Sequence, residues 1–509
     1  MRKLGFDTQK YLEVQKKAIE ERLSKFSGRL YLEFGGKLLE DFHASRTLPG
    51  YDPNTKLLLL KSLKKDLGIL YCVSAKQLSN GKIRGDWGVG YDLATIKSLE
   101  DLENYGLPLL GVVINRFEGE AEAMNFEERL KRMGINVYKR KEIEGYPNDL
   151  SAILSKKGYG ADDYIETEKS LVVVWGAGSG AGKLSTCLGQ IYNDNQRGLN
   201  SGYAKFETFP VWDLPFEHPV NVAYEAATAD LGDYNVIDNF HYQAYQKIAV
   251  NYNRDIESFP IVKAIFEQIT SKDNYSRHYC SPTDMGVNLL RQGIVDDAVC
   301  REAAKREINF YLFRYLQEYR KGIVTHSTLE KMETIMRKVE VGEDYLLTVS
   351  QARLAAAKAR KQKNKGDRGI YCGAAIELAD GTIVTGKNSP LLHAEAAAVL
   401  NAIKTLAKIN DRFELISPLV IKQVKKMKKQ IHEASFSLDC AEALLALAVS
   451  SQTNPLAQQV QKYLGKLKGC FMHTTHQPSA ADEALFRKLG IWVSTDGKVE
   501  KAEKKLSLE

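Results

Sequence analysis

Glycines stand at every second position from Gly176 to Gly182 and lead into Lys183, with the hydroxyls of Ser185 and Thr186 just beyond. These residue types point to chemistry with anions. Glycines accept the positive-φ conformations that turn successive amides toward one point, lysine brings a full positive charge, and hydroxyls at a helix start can ligate the metal that travels with phosphates. The stretch ends in Gly182-Lys183, as the phosphate-loop pattern G-x-x-x-x-G-K-[ST] requires, but Ala177 takes the first glycine's position and Leu184 that of the hydroxyl. The cofactor such a loop takes is ATP or another nucleotide with Mg²⁺, held by Gly178, Gly180, Gly182, Lys183 and Ser185 or Thr186. The alternative is a glycine-rich turn that packs closely and binds nothing.

Further candidates lie downstream. The strand-like GYAKFE carries Lys205 and Glu207, two more contacts for a ligand. NVID closes on Asp238, which is the place of a Walker B carboxylate sharing a metal with Thr186 and equally the place of a helix cap. In NYNRDIES, Arg254 stands where it can neutralise transferred charge. The catalytic set read this way is Lys183, Asp238 and Arg254. The glycine-rich KIRGDWGVGYD adds Arg84, Asp86 and Asp92, which either line a site or are simply solvated.

A different chemistry is suggested by His393-Ala394-Glu395 at a helix start, which matches the first half of the zinc deaminase signature. The second half, P-C-x-x-C, is absent; Cys470, His473 and His476 are its only stand-ins, so no zinc is expected.

The elements that position these residues alternate between strand and helix. Leu171 to Val174 form an uninterrupted branched apolar run, the pattern of a strand buried on both faces, and Leu184, Leu188 and Tyr192 recur at helical spacing. GILYCVSA, GVVINR and INVYKR read as further strands, separated by helical patterns, which implies a parallel sheet covered by helices. The expected class is α/β: an N-terminal α/β domain over 1–165, a phosphate-loop-like α/β domain over 166–325, a helical connection over 326–368 and a smaller α+β domain over 369–509. In the first of these, RLYLEFGGKLL is a strand running into a Gly35-Gly36-Lys37 turn.

Composition narrows the class of function. An apolar fraction of 44% and a charged fraction of 27% are those of ordinary globular chains. The net charge of +7 is spread over runs without interleaved aromatics, which argues against a nucleic-acid partner. Seven cysteines without a C-x-x-C pair point to free thiols in the cytoplasm. The opening residues are charged throughout and no run of eighteen apolar residues occurs, so neither a secretory leader nor a membrane partner is expected. The helical C-terminal domain offers a surface for a homo-oligomer.

The ordered series RTLPGYDP, KIRGDWGVGYD, GYAKFETFPVWDLP, HPVNVAYEAATADL, AVNYNRDIESFP, SPTDMGVNLL, DGTIVTGKNSPLL and DEALFRKLGI, spread over nearly the whole chain, resembles the family of domain of unknown function 1846. The resemblance implies a large N-terminal α/β region with the glycine-rich loop and a smaller C-terminal region, and it carries no reaction with it. Three functions follow from the residues: phosphoryl transfer or ligation with a small phosphorylated ligand, binding of that ligand without turnover, and zinc-dependent deamination.

Overall fold

Leu171–Gly176 is buried at every position but its last because helices cover both faces of the sheet it belongs to. The computed structural model describes residues 3–80, 83–84, 89–430 and 437–497, and the side chains of Arg84 and Asp86 lie outside that set. The chain divides into two compact units, one of Leu4–Ala304 and one of Met1–Lys3 with Lys305–Glu509.

The first unit contains β1 (Leu30–Phe34), β2 (Leu67–Ser74), β3 (Ile83–Arg84), β4 (Val89–Gly90), β5 (Leu109–Asn115), β6 (Val137–Arg140), β7 (Leu171–Gly176), β8 (Gly202–Phe206), β9 (Asn235–Ile237) and β10 (Val250–Tyr252). Six of them make one parallel sheet in the order β6-β5-β2-β7-β1-β8. The glycine-rich loop therefore leaves the carboxyl end of an interior strand, as the sequence predicts. β7 sits between β1 and β2, and residues before and after 165 contribute to the same sheet. The six-stranded sheet is thus shared by the segments 1–165 and 166–325, while the antiparallel pair β9–β10 lies within the second.

Alternation along each strand sorts side chains between two cores. Leu30, Leu32, Leu171 and Val173 face one cluster, with Ile96, Leu99, Phe126 and Leu130 from covering helices. Tyr31, Val172 and Val174 face the other, with Leu188, Ile191, Val262 and Phe266. Full burial of one such side chain contributes about 1.5–3 kcal/mol. The same alternation sends Glu33 and Lys205, Cα partners across β1 and β8, to the side of the second cluster.

In the second unit β11 (Gly373–Glu377) pairs antiparallel with β12 (Ile383–Lys387) and with β13 (Phe471–Thr474), which runs parallel to β14 (Trp492–Thr495). The helix Ala394–Leu406 crosses this sheet closely: a Cβ on Gly386 would lie 2.2 Å from Ala394 O and 2.2 Å from Ala398 N. Among the described residues no helix is long and apolar enough to cross a membrane.

Candidate functional site

The loop after β7 is held at both ends. Ala177 N donates to Cys72 O at 2.9 Å, anchoring the loop to β2, and Asn115 Nδ2 at the end of β5 donates to Ala181 O at 2.9 Å. Gly182 then takes the left-handed conformation at φ +88°, capping the helix Lys183–Gln196. A Cβ there would lie 2.6 Å from Asn115 Cγ, so both the conformation and the space demand glycine. Between Ala177 and Thr186, whose N–H donates to Gly182 O at 2.9 Å, the amides of Gly178 to Ser185 have no acceptor among the described residues. They are the donors a loop and helix N-terminus present to an anion.

This loop forms one wall of a cavity of about 800 Å³ at the carboxyl ends of the strands. Of the residues singled out in the sequence, Lys183, Ser185, Lys205, Glu207 and Arg254 line it, together with Gly178, Gly180 and Gly182. Lys183 Nζ lies 3.3 Å from Gly178 O, spanning the loop. Arg254 donates to Ser179 Oγ at 3.0 Å and pairs with Asp233, so it ties the loop tip to the helix Asn253–Ile269.

Two expected metal ligands stand elsewhere. Asp238 is fully buried and outside the cavity lining: it caps the helix Asn239–Tyr245 by accepting from His241 N at 3.0 Å and takes the Thr283 hydroxyl at 2.6 Å. The strand before it, β9, belongs to a separate antiparallel pair with β10, outside the six-stranded sheet that contains β7. Thr186 is also fully buried. Its hydroxyl lies 2.9 Å from Gly182 O and 3.3 Å from both Asn115 Oδ1 and Arg140 Nη1, a latch between helix and sheet.

The carboxylate that does reach the cavity from a strand beside β7 is Glu33. Its Oε2 accepts from Tyr203 at 2.7 Å. A single acid inside the otherwise apolar LYLEF was the signal for it. Nearby, Lys205 sits 2.7 Å from Asp255 and 3.2 Å from Glu207. Burial works against the Lys205 charge, yet Asp255, Glu207 and Glu33 outweigh it and hold its pKa above the ordinary lysine value. The Glu207 pKa is raised as well, which disfavours its charge: burial raises its carboxyl, Lys205 pulls it back, and Asp255 and Glu33 push it up again. Below the loop, burial pushes the Cys72 thiol up to about 11, which makes it a packing residue.

In the second unit the structure brings together His393, Glu395 and His476, while His473 bonds Ser494 at 2.9 Å and Asp496 at 3.3 Å, apart from them.

Residues 4–340 match the model of the domain of unknown function DUF1846, N-terminal, and residues 347–504 match its C-terminal counterpart. The chain belongs to this family. It is 46% identical over 495 residues to a UPF0371 protein of Clostridium tetani, covering 97% of each chain, and 47% identical over 495 residues, with the same coverage, to UPF0371 proteins of Clostridium botulinum strains ATCC 19397 and Loch Maree. In this member of the family the cavity belongs wholly to the stretch matched by the N-terminal model.

Proposed function

We propose that the Leu4–Ala304 unit binds a small phosphorylated ligand, ATP or another nucleotide, in the cavity walled by the glycine-rich loop. The observation that carries this reading is the row of amides from Gly178 to Ser185 without acceptors among the described residues, at a helix N-terminus and beside Lys183. A phosphate oxygen would take over the contact that Lys183 makes with Gly178 O. The cavity volume of about 800 Å³ is within the range of small-molecule sites. Mg²⁺ accompanying the phosphates would be held by Ser185 and Glu33, which line the cavity, in place of Thr186 and Asp238, which do not. Phosphoryl transfer or ligation would then draw on Lys183 and Arg254 to neutralise charge.

The test is a thermal-shift and calorimetric titration of the protein with ATP, GTP and inorganic pyrophosphate, with and without Mg²⁺. A ligand at a hundred times its Kd adds about 2.7 kcal/mol of stability. Lys183→Met should fold like the parent and lose ten- to a hundredfold in affinity, corresponding to about 1.5–3 kcal/mol for a bond to a charged group. Equal binding by parent and variant, or no binding of any phosphate compound, would remove the reading. Release of phosphate from a bound nucleotide separates an enzyme from a ligand sensor.

A further inference from the structure

We propose that His393, Glu395 and His476 form a site for a transition-metal ion of the zinc class in the Lys305–Glu509 unit, independent of the phosphate pocket. One nitrogen from each imidazole and one carboxylate oxygen lie within 4.8 Å of one another. His476 Nε2 is 3.0 Å from Glu395 Oε2, and His393 Nδ1 is 3.8 Å from Glu395 Oε1. Ligands about 2.0–2.1 Å from a tetrahedral ion stand about 3.3 Å apart, so the three close on a metal with small movements. Two histidines and one glutamate are a set that catalytic zinc uses, with the fourth position open to water.

The surroundings hold this set in place and supply a second observation. His393 opens the helix Ala394–Leu406, and its N–H donates to Leu438 O at 2.9 Å. The carbonyl of His476 accepts from the Thr495 hydroxyl at 2.8 Å. Glu395 and Asp482 are both fully buried. Asp482 Oδ1 accepts from Cys440 N and Ala441 N at 3.0 and 3.1 Å, which leaves its buried Oδ2 without a hydrogen bond. Two buried carboxylates, one of them in contact with two imidazoles, call for compensating charge, either two protons or one divalent cation. Asp482 also explains why the sequence argued against zinc. In Pro478-Ser479-Ala480-Ala481-Asp482 it stands where the second cysteine of P-C-x-x-C would be, so the ligands come from His476 and Glu395 instead.

Full-length protein stripped with a chelator and titrated with Zn²⁺ alone should take up one ion per chain, and Co²⁺ in its place should give the visible absorption of a low-coordinate site. Glu395→Gln and His476→Ala should each weaken Zn²⁺ binding by about a hundredfold or more. His326→Ala, at an exposed ring, should leave it unchanged. Should the buried variants fail to fold by circular dichroism, His393→Ala, whose ring is partly exposed, carries the same expectation. A parent protein without stoichiometric uptake, or uptake unaltered in the variants, overturns the site and leaves two imidazolium protons as the compensating charge.

Discussion

Glu207 occupies a position where its charge works against the fold. Its carboxyl is raised by burial, and by Asp255 and Glu33 beyond what Lys205 offsets, so the folded state binds the proton more tightly than the unfolded chain does. The stability linked to this group is therefore complete below the unfolded carboxylate value, near pH 4, and is lost as pH rises through the raised folded value. Glu207→Gln should melt a few degrees above the parent at pH 7–8, and the gap should shrink to nothing below about pH 4. Melting curves across that range that stay parallel would show that Lys205 fully compensates Glu207.

At the level of elements, the strand, loop and helix from Leu171 to Tyr192 were legible because every signal is local: an unbroken apolar run, glycines ahead of a lysine, and apolar residues at helical spacing. Lys205, Glu207 and Arg254 were legible as charged residues near strand ends, and they meet the loop in one cavity. Asp238 was misplaced because an aspartate closing a short apolar strand satisfies a cap and a metal ligand equally, and only sheet order tells them apart. Glu33 was missed for the converse reason: its closeness to the loop comes from the pairing of β1 with β7, about 140 residues later, which no local pattern reports. His476 likewise joins His393 and Glu395 from more than eighty residues further along the sequence. The second sheet depends on one close approach. Gly386→Ala would press a methyl group against Ala394 O and Ala398 N, pushing the helix Ala394–Leu406 outward at a cost of about 1–3 kcal/mol. A lowered melting temperature, with weaker Zn²⁺ binding because His393 moves with that helix, is the expected result; an unchanged melt would mean the helix gives way freely.

For the molecule as a whole, the two units offer different lessons about where the chain can be cut. A fragment ending at residue 165 has β1 and β2 but lacks the strand that lies between them, so it should be unfolded or aggregated, whereas 4–304 should give a cooperative melt and protected amides. A well-dispersed spectrum from the shorter fragment would contradict this. The insertion of β7 also bears on how the chain is made. β1 and β2 leave the ribosome with their facing edges unpaired and must wait through the roughly one hundred residues between Ser74 and Leu171, on the order of 5–20 s of synthesis. During that interval two apolar strand edges are open to each other and to neighbouring nascent chains, and direct pairing of β1 with β2 would close the slot that β7 needs. Slow synthesis should therefore lower the yield of folded protein, and a chaperone that shields apolar edges should restore it, because the strand that carries the glycine-rich loop is also the one that seals the sheet.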